Sequence, residues 1–186
     1  VDYEVLFFID QNASGSYGNL DRIRYVNSSG NAVEAITSGT RDNPGNLHVL
    51  NNGTKTWTLF LVLKRGDGLE PHAIKDSNMN AVLNLASTAT QLMDISAGNS
   101  VAAAPASFPF ALVNDGTKDL LFFRAQSPNG ELYVTDGLSA GTSRVMDINT
   151  GGNSNPSQFG VAFNGEANWK FFFSADHGVN GRELWV

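Results

Sequence analysis

The side chains of this sequence best suited to hold a transition metal are its three histidines, His48, His72 and His177. No two of them have the short i, i+2 or i, i+4 spacing of a strong zinc or copper signature. A repeated fold can still bring distant positions together, and two imidazoles with a carboxylate such as Asp176 suit copper or zinc. A metal site at His48, His72, His177 and Asp176 is therefore one hypothesis, with isolated rim histidines as the alternative.

Aspartates recur beside Gly and Asn where predicted strands end, a setting that suits calcium. Hard cations need several carboxylate and carbonyl oxygens on flexible loops. No EF-hand or nonapeptide spacing accompanies these residues, and residues 176–181 (DHGVNG) are only partly similar to such a loop. Bound calcium stays open beside the simpler interpretation of solvated turn aspartates. The positions are Asp10, Asp67, Asp76, Asp136, Asp147 and Asp176.

Signatures of catalysis are missing from the sequence. It has neither the Gly-x-Ser-x-Gly turn of a serine nucleophile nor the HExxH pattern of a zinc peptidase. Glycoside cleavage needs two carboxylates held at a fixed separation in a cleft. Glu70, Glu131 and Glu183 instead recur at one position of a repeat, which indicates a structural role for each. We therefore predict that this chain is not itself an enzyme.

Aromatic side chains beside Asn, Asp and Gly could stack on sugar rings. Trp57 and Trp169 both stand just before an apolar strand, and this recurrence favours packing between strands over ligand stacking. Glycan binding nevertheless stays open for the aromatic set as a whole. The candidates are Trp57, Trp169, Trp185, Tyr17 and Tyr133.

Composition narrows the class of protein that must position these groups. The chain has 186 residues, of which 41% are hydrophobic and 16% charged, with 19 glycines and no cysteine. Low charge with many turn formers favours strands over long helices, and the absence of cysteine excludes disulfides and thiolate metal sites. A net charge of −6 disfavours binding to nucleic acid or to anionic lipid. No apolar run reaches the roughly 20 residues of a membrane span.

The strongest organisational signal is internal repetition. Short apolar, aromatic-rich runs recur roughly 50 to 60 residues apart, and each is followed by further strand-like runs separated by polar turns. The first strands are predicted at residues 5–10, 59–64, 120–125 and 170–175. Second strands are predicted at residues 22–27, 70–76, 131–136 and 183–186. Third strands are predicted at residues 32–37, 90–95 and 143–148, and fourth strands at residues 46–51, 108–114 and 158–164.

These strands predict an all-β chain of repeated four-stranded antiparallel units, β-propeller-like and either partial or closed by a partner. The alternative is an irregular β-rich single domain. Within residues 77–89 we expect one helical turn around residues 81–86. Open sheet edges predict self-association or pairing with an adjoining segment. The predicted units of this single β-repeat domain are 1–55, 56–118, 119–168 and a partial unit 169–186.

The last third of the chain carries a specific motif. Residues 131–142 read ELYVTDGLSAGT and residues 172–186 read FFSADHGVNGRELWV. Over residues 120–186 the chain resembles the ELWxTDGTxxGT repeat, also called hyalin-like, of exported bacterial proteins, whose repeats are taken to form β-propeller-like arrays. The resemblance implies export and repeat architecture, and it implies no reaction. Mechanically, Asp136-Gly137 predicts a tight turn, since Asp bonds the following amides and Gly supplies a positive φ.

Three functions follow as hypotheses. The first is a non-catalytic secreted or cell-surface module that binds a glycan, a surface or a protein partner. The second is a secreted protein that binds copper, zinc or calcium through histidines and turn carboxylates. The third is a fragment of an enzyme whose catalytic part lies outside this chain. Since the sequence starts at Val1, we expect a processed chain or a piece of a longer one.

Overall fold

A computed structural model describes residues 7–10, 22–26, 32–37, 45–51, 57–65, 68–75, 83–84, 89–95, 109–125, 129–163 and 169–186. Over these ranges the chain is all-β, as predicted, apart from one 3₁₀ turn at Ser139–Gly141. None of the described residues belongs to a helix that is long and apolar enough to cross a membrane.

The described strands fall into four sheets, numbered here in chain order. Sheet I contains β1 (Phe7–Asp10), β2 (Arg22–Val26), β3 (Ala32–Thr37) and β7 (Leu83–Asn84). Sheet II contains β4 (Gly45–Asn51), β5 (Trp57–Arg65), β6 (Gly68–Lys75) and β8 (Thr90–Gln91). Sheet III contains β9 (Phe110–Asn114), β10 (Asp119–Arg124), β11 (Leu132–Thr135) and β12 (Ser143–Arg144). Sheet IV contains β13 (Ser157–Phe163), β14 (Trp169–Asp176) and β15 (Arg182–Trp185).

Sheets II, III and IV are antiparallel meanders, and each begins one strand earlier than the units drawn from the sequence. The predicted fourth strand of one unit pairs with the first strand of the next, as β9 does with β10. The cause is a hairpin at Asp115-Gly116, where the amide of Asp115 donates to Lys118 O and Gly116 has a φ of +94°. Such a turn joins adjacent antiparallel strands directly, so it belongs inside a sheet.

Two other local predictions were wrong in their details. The third strand predicted at residues 32–37 is present as β3, but those predicted at residues 90–95 and 143–148 are only two residues long, because the chain leaves the sheet after β8 and after β12. The helical turn expected around residues 81–86 is replaced at Leu83–Asn84 by β7, which pairs in parallel with β3. Pairing with a distant strand outweighs the helix propensity of the local Ala- and Leu-rich sequence. The rest of residues 77–88 lies outside the described part of the chain.

Sheet III is covered on both faces. Its Leu121 and Phe123 lie in one cluster of buried residues with Leu50 and Phe60 of sheet II. The rings of Phe60 and Phe123 have centroids 5.6 Å apart. Because β10 also buries its other face, its sequence is a continuous apolar run without alternation.

The opposite face of sheet III packs on sheet IV. Phe122 and Leu132 share a second buried cluster with Phe171 and Phe173. Phe122 stacks on Phe171 with centroids 4.5 Å apart and ring planes 16° from parallel. The expected burial of aromatic first strands against a neighbouring sheet is therefore confirmed for sheets II, III and IV.

Candidate interaction site

The TDG turn has the chemistry predicted from its sequence. Asp136 Oδ1 accepts the amide of Leu138 at 3.0 Å, and Gly137 has a φ of +83°. Thr135 Oγ1 lies 2.6 Å from Thr142 Oγ1 and accepts the amide of Gly137. The recurring polar residues of this motif therefore close a turn between β11 and β12.

The same turn lies against sheet II. A Cβ atom on Gly137 would come within 3.0 Å of Thr58 Cγ2, so the backbone is in close contact with β5. Lys118 Nζ forms an ion pair with Asp136 Oδ2 at 2.6 Å, and this hydrogen bond raises the pKa of Lys118. Asp119 Oδ2 accepts the amide of Asn51 at 2.7 Å across the two sheets. The turn thus fixes one end of the contact between sheets II and III.

A buried carboxylate fixes the other end of sheet III. Glu131 is 0% exposed, and its Oε2 accepts the amide of Ile148 at 3.1 Å and the hydroxyl of Ser154 at 2.6 Å. Its Oε1 accepts the amide of Asn149 at 3.3 Å. A buried charge is tolerated when it is fully hydrogen-bonded in this way.

Sheet II repeats this arrangement. Glu70 is 1% exposed and its Oε2 accepts the amide of Ile95 at 2.9 Å. Both isoleucines end segments of one pattern, TQLMDI at residues 90–95 and SRVMDI at residues 143–148. We call this carboxylate-to-amide bond the Glu–Ile contact. It confirms the structural role predicted for Glu70 and Glu131.

The third glutamate of the repeat has a different environment. Glu183 lies opposite Ala175 in the β14–β15 pair, just as Glu131 adjoins Ala125 through the bond from the Ala125 amide to Glu131 O. Glu183 is nevertheless exposed. The residue after it, Leu184, is 76% exposed, whereas its counterpart Leu132 in sheet III is 1% exposed.

Sheet IV consequently presents a receptive edge and face. In the described part of the chain, β15 pairs with β14 alone, whereas β11 pairs with both β10 and β12. Val186 is 75% exposed and, two residues from Leu184, projects on the same side of an extended backbone. An unpaired strand edge, an exposed carboxylate and two exposed apolar side chains together suit binding of another β-strand.

The predicted metal residues have separate surroundings. His48 is half-buried, its ring 4.7 Å from that of Phe110, and burial lowers its pKa. His72 is fully buried, with Nδ1 2.9 Å from Glu70 O. His177 follows β14, and its ring centroid lies 6.5 Å from that of Trp185.

Where they are described, the carboxylates proposed to bind cations make hydrogen bonds within turns or ion pairs with a basic side chain. Asp176 Oδ1 accepts the amide of Gly178 at 2.8 Å, and Asp147 lies 3.4 Å from Arg144. The described residues contain no group of three or more His, Asp or Glu side chains that could hold a metal ion. The side chains of Asp10, Asp67 and Asp76 lie outside those residues. The copper, zinc or calcium site stays a prediction.

Three of the five aromatic candidates pack between or within sheets. Tyr133 is buried, Trp169 meets Phe122 edge-on at 6.0 Å, and Trp185 stacks on Phe173 at 6.4 Å. The packing interpretation, made for Trp57 and Trp169, is confirmed for Trp169. The side chains of Tyr17 and Trp57 lie outside the described part of the chain.

The exposed pair Glu183 and Leu184 was not identified as a site from the sequence. The available signal was the repeated MDI segment, which follows both Glu70 and Glu131.

Comparisons with protein-family models, with curated proteins and with solved structures gave no match for this chain.

Proposed function

We propose that this chain is a non-catalytic exported repeat module, built from β-propeller-like stacked sheets, that binds a protein partner on the uncovered face of sheet IV. One observation carries the proposal. Leu132 and Leu184 hold equivalent positions in successive sheets, yet one is 1% and the other 76% exposed. An apolar side chain that is core in one repeat and bare in the next marks a face suited to an interface.

The use of the recurring polar groups supports a scaffold rather than an active site. Glu70, Glu131 and Asp136 accept hydrogen bonds from backbone amides within turns and between strands. A catalytic carboxylate would instead need access to a substrate in a cleft. The hyalin-like resemblance supports the exported location, and sheets that stack in chain order support the propeller-like arrangement.

The proposal is tested by measuring association of the chain with itself, since a second copy offers sheet faces of the same kind. Sedimentation equilibrium over a wide concentration range should show dimers or larger species for the natural chain. Leu184→Asp should abolish them without lowering the melting temperature, because Leu184 makes little contact within its own fold. Val179→Asp is the matched control, since Val179 is equally exposed but lies in the turn before β15.

Association that Leu184→Asp leaves unchanged, or that Val179→Asp abolishes to the same extent, would contradict the proposal. Stable binding on a glycan array, insensitive to Leu184→Asp, would favour the rival glycan-binding function. One equivalent of tightly bound metal that is lost on replacing His48, His72 and His177 would favour the metal-binding function.

A further inference from the structure

We infer that Glu183 and the edge of β15 form a recognition site for an extended segment ending in Ile, of the pattern apolar-Met-Asp-Ile. The inference rests on the proposed function, because it names what the uncovered face of sheet IV binds. It depends on three equivalent glutamates, Glu70, Glu131 and Glu183. The first two already accept the amide of an isoleucine from this chain.

The two occupied sites follow the same path. Gln91 pairs with His72 in sheet II, and Arg144 pairs with Tyr133 in sheet III. Each segment therefore begins as an edge strand at the same register.

The next residue of each segment makes the same backbone hydrogen bond. The amide of Leu92 donates to Pro71 O at 2.9 Å, and that of Val145 donates to Leu132 O at 2.8 Å. Pro71 and Leu132 each follow the glutamate of their sheet. Three residues later, Ile95 or Ile148 reaches that glutamate through its own amide.

The isoleucine is the one side chain that is buried in the same way in both segments. Ile95 and Ile148 are both buried among the aromatic residues between two sheets. The methionine and the aspartate have different surroundings in the two segments. Met146 and Asp94 are exposed, whereas Met93 packs on the buried cluster and Asp147 is half-buried. Recognition therefore consists of backbone pairing, one carboxylate-to-amide bond and one buried isoleucine, which is strand addition with a single specificity position.

Sheet IV offers the same three elements to an incoming segment. Leu184 O is the counterpart of Pro71 O and Leu132 O, and the exposed Glu183 carboxylate is the counterpart of Glu70 and Glu131. A carboxylate with a backbone N–H is a charge-assisted hydrogen bond, about twice as strong as a neutral one. Because the contacts are to the peptide backbone and to one apolar side chain, the site selects an extended peptide and does not require a charge on the ligand.

The test titrates the full chain into a fluorescein-labelled peptide with the sequence of residues 141–150 and follows fluorescence anisotropy. A second peptide carries N-methylisoleucine at the position of Ile148, which replaces the amide hydrogen that Glu183 would accept by a methyl group. The protein variants are Glu183→Gln and, as a matched control for loss of one exposed negative charge, Asp94→Asn.

Saturable binding that weakens about tenfold or more with either N-methylisoleucine or Glu183→Gln, and not with Asp94→Asn, is the expected result. Binding that is indifferent to both changes would overturn the role of Glu183. A peptide that fails to bind while the chain still associates through Leu184 would overturn this inference and leave the proposed function standing. Failure of both binding and Leu184-dependent association would remove both.

Discussion

In each of two neighbouring sheets, a buried glutamate binds the segment that follows the last strand of the sheet, β8 or β12. Glu131 accepts three hydrogen bonds while it is fully shielded from water. The sequence predicted a structural role for this position because glutamate recurs there. It could not predict the partner, because the bond joins Glu131 to a main-chain amide 17 residues away, and main-chain donors leave no residue-type signature.

Replacing Glu131 by Gln should lower the free energy of unfolding by about 2–3 kcal/mol, since buried donors lose a charged acceptor. Glu183→Gln is the matched control at the exposed equivalent position, with an expected change within about 0.5 kcal/mol. Urea unfolding of both variants measures the difference. Equal effects of the two substitutions would show that Glu131 is not a buried anchor.

His48 should make stability depend on pH. Burial between sheets II and III lowers its pKa below the 6.5 of an exposed histidine, so the unfolded chain binds the proton more tightly. Its contribution is complete above about pH 6.5 and is lost as the pH falls from there towards the lower folded-state pKa. His48→Leu should flatten this part of the stability profile measured by urea unfolding. An unchanged slope in the variant would contradict the assignment.

At the scale of the element, turns decide which strands form a sheet. The strands were largely predicted from apolar runs, but their grouping was shifted by one strand, because the hairpin at Asp115-Gly116 was assigned to a boundary. Two of the three third strands, at residues 90–95 and 143–148, were predicted too long for a related reason. Val145 to Ile148 are apolar enough to resemble a strand, yet they leave the sheet to reach Glu131.

Gly141 is required by its turn. A Cβ atom there would overlap the carboxylate of Asp136, which is fixed by Lys118 and by the amide of Leu138. Gly141→Ala should therefore cost about 1–3 kcal/mol of stability in thermal unfolding. Gly160→Ala is the control, since nothing lies within 4 Å of a Cβ at Gly160. A Gly141→Ala protein as stable as the control would refute this account of the motif.

At the scale of the molecule, sheets II, III and IV form a stack in chain order. The aromatic composition of the first strands predicted this stacking, because both faces of β10 had to be buried. The uncovered face of sheet IV could not be predicted in the same way. Leu132 and Leu184 lie in nearly identical local sequences, ELYV and ELWV, and only the presence of a neighbouring sheet makes one buried and the other exposed.

The most direct test of the stack is a double-mutant cycle between Phe122 and Phe171, measured by urea unfolding of the two single alanine variants and the double variant. Their rings stack at 4.5 Å between sheets III and IV. We predict a coupling energy of about 0.5–1.5 kcal/mol. The control pair, Phe60 and Phe171, belongs to different clusters on opposite faces of sheet III and should be additive. Additivity within about 0.3 kcal/mol for Phe122 and Phe171 would contradict the stacking of these sheets.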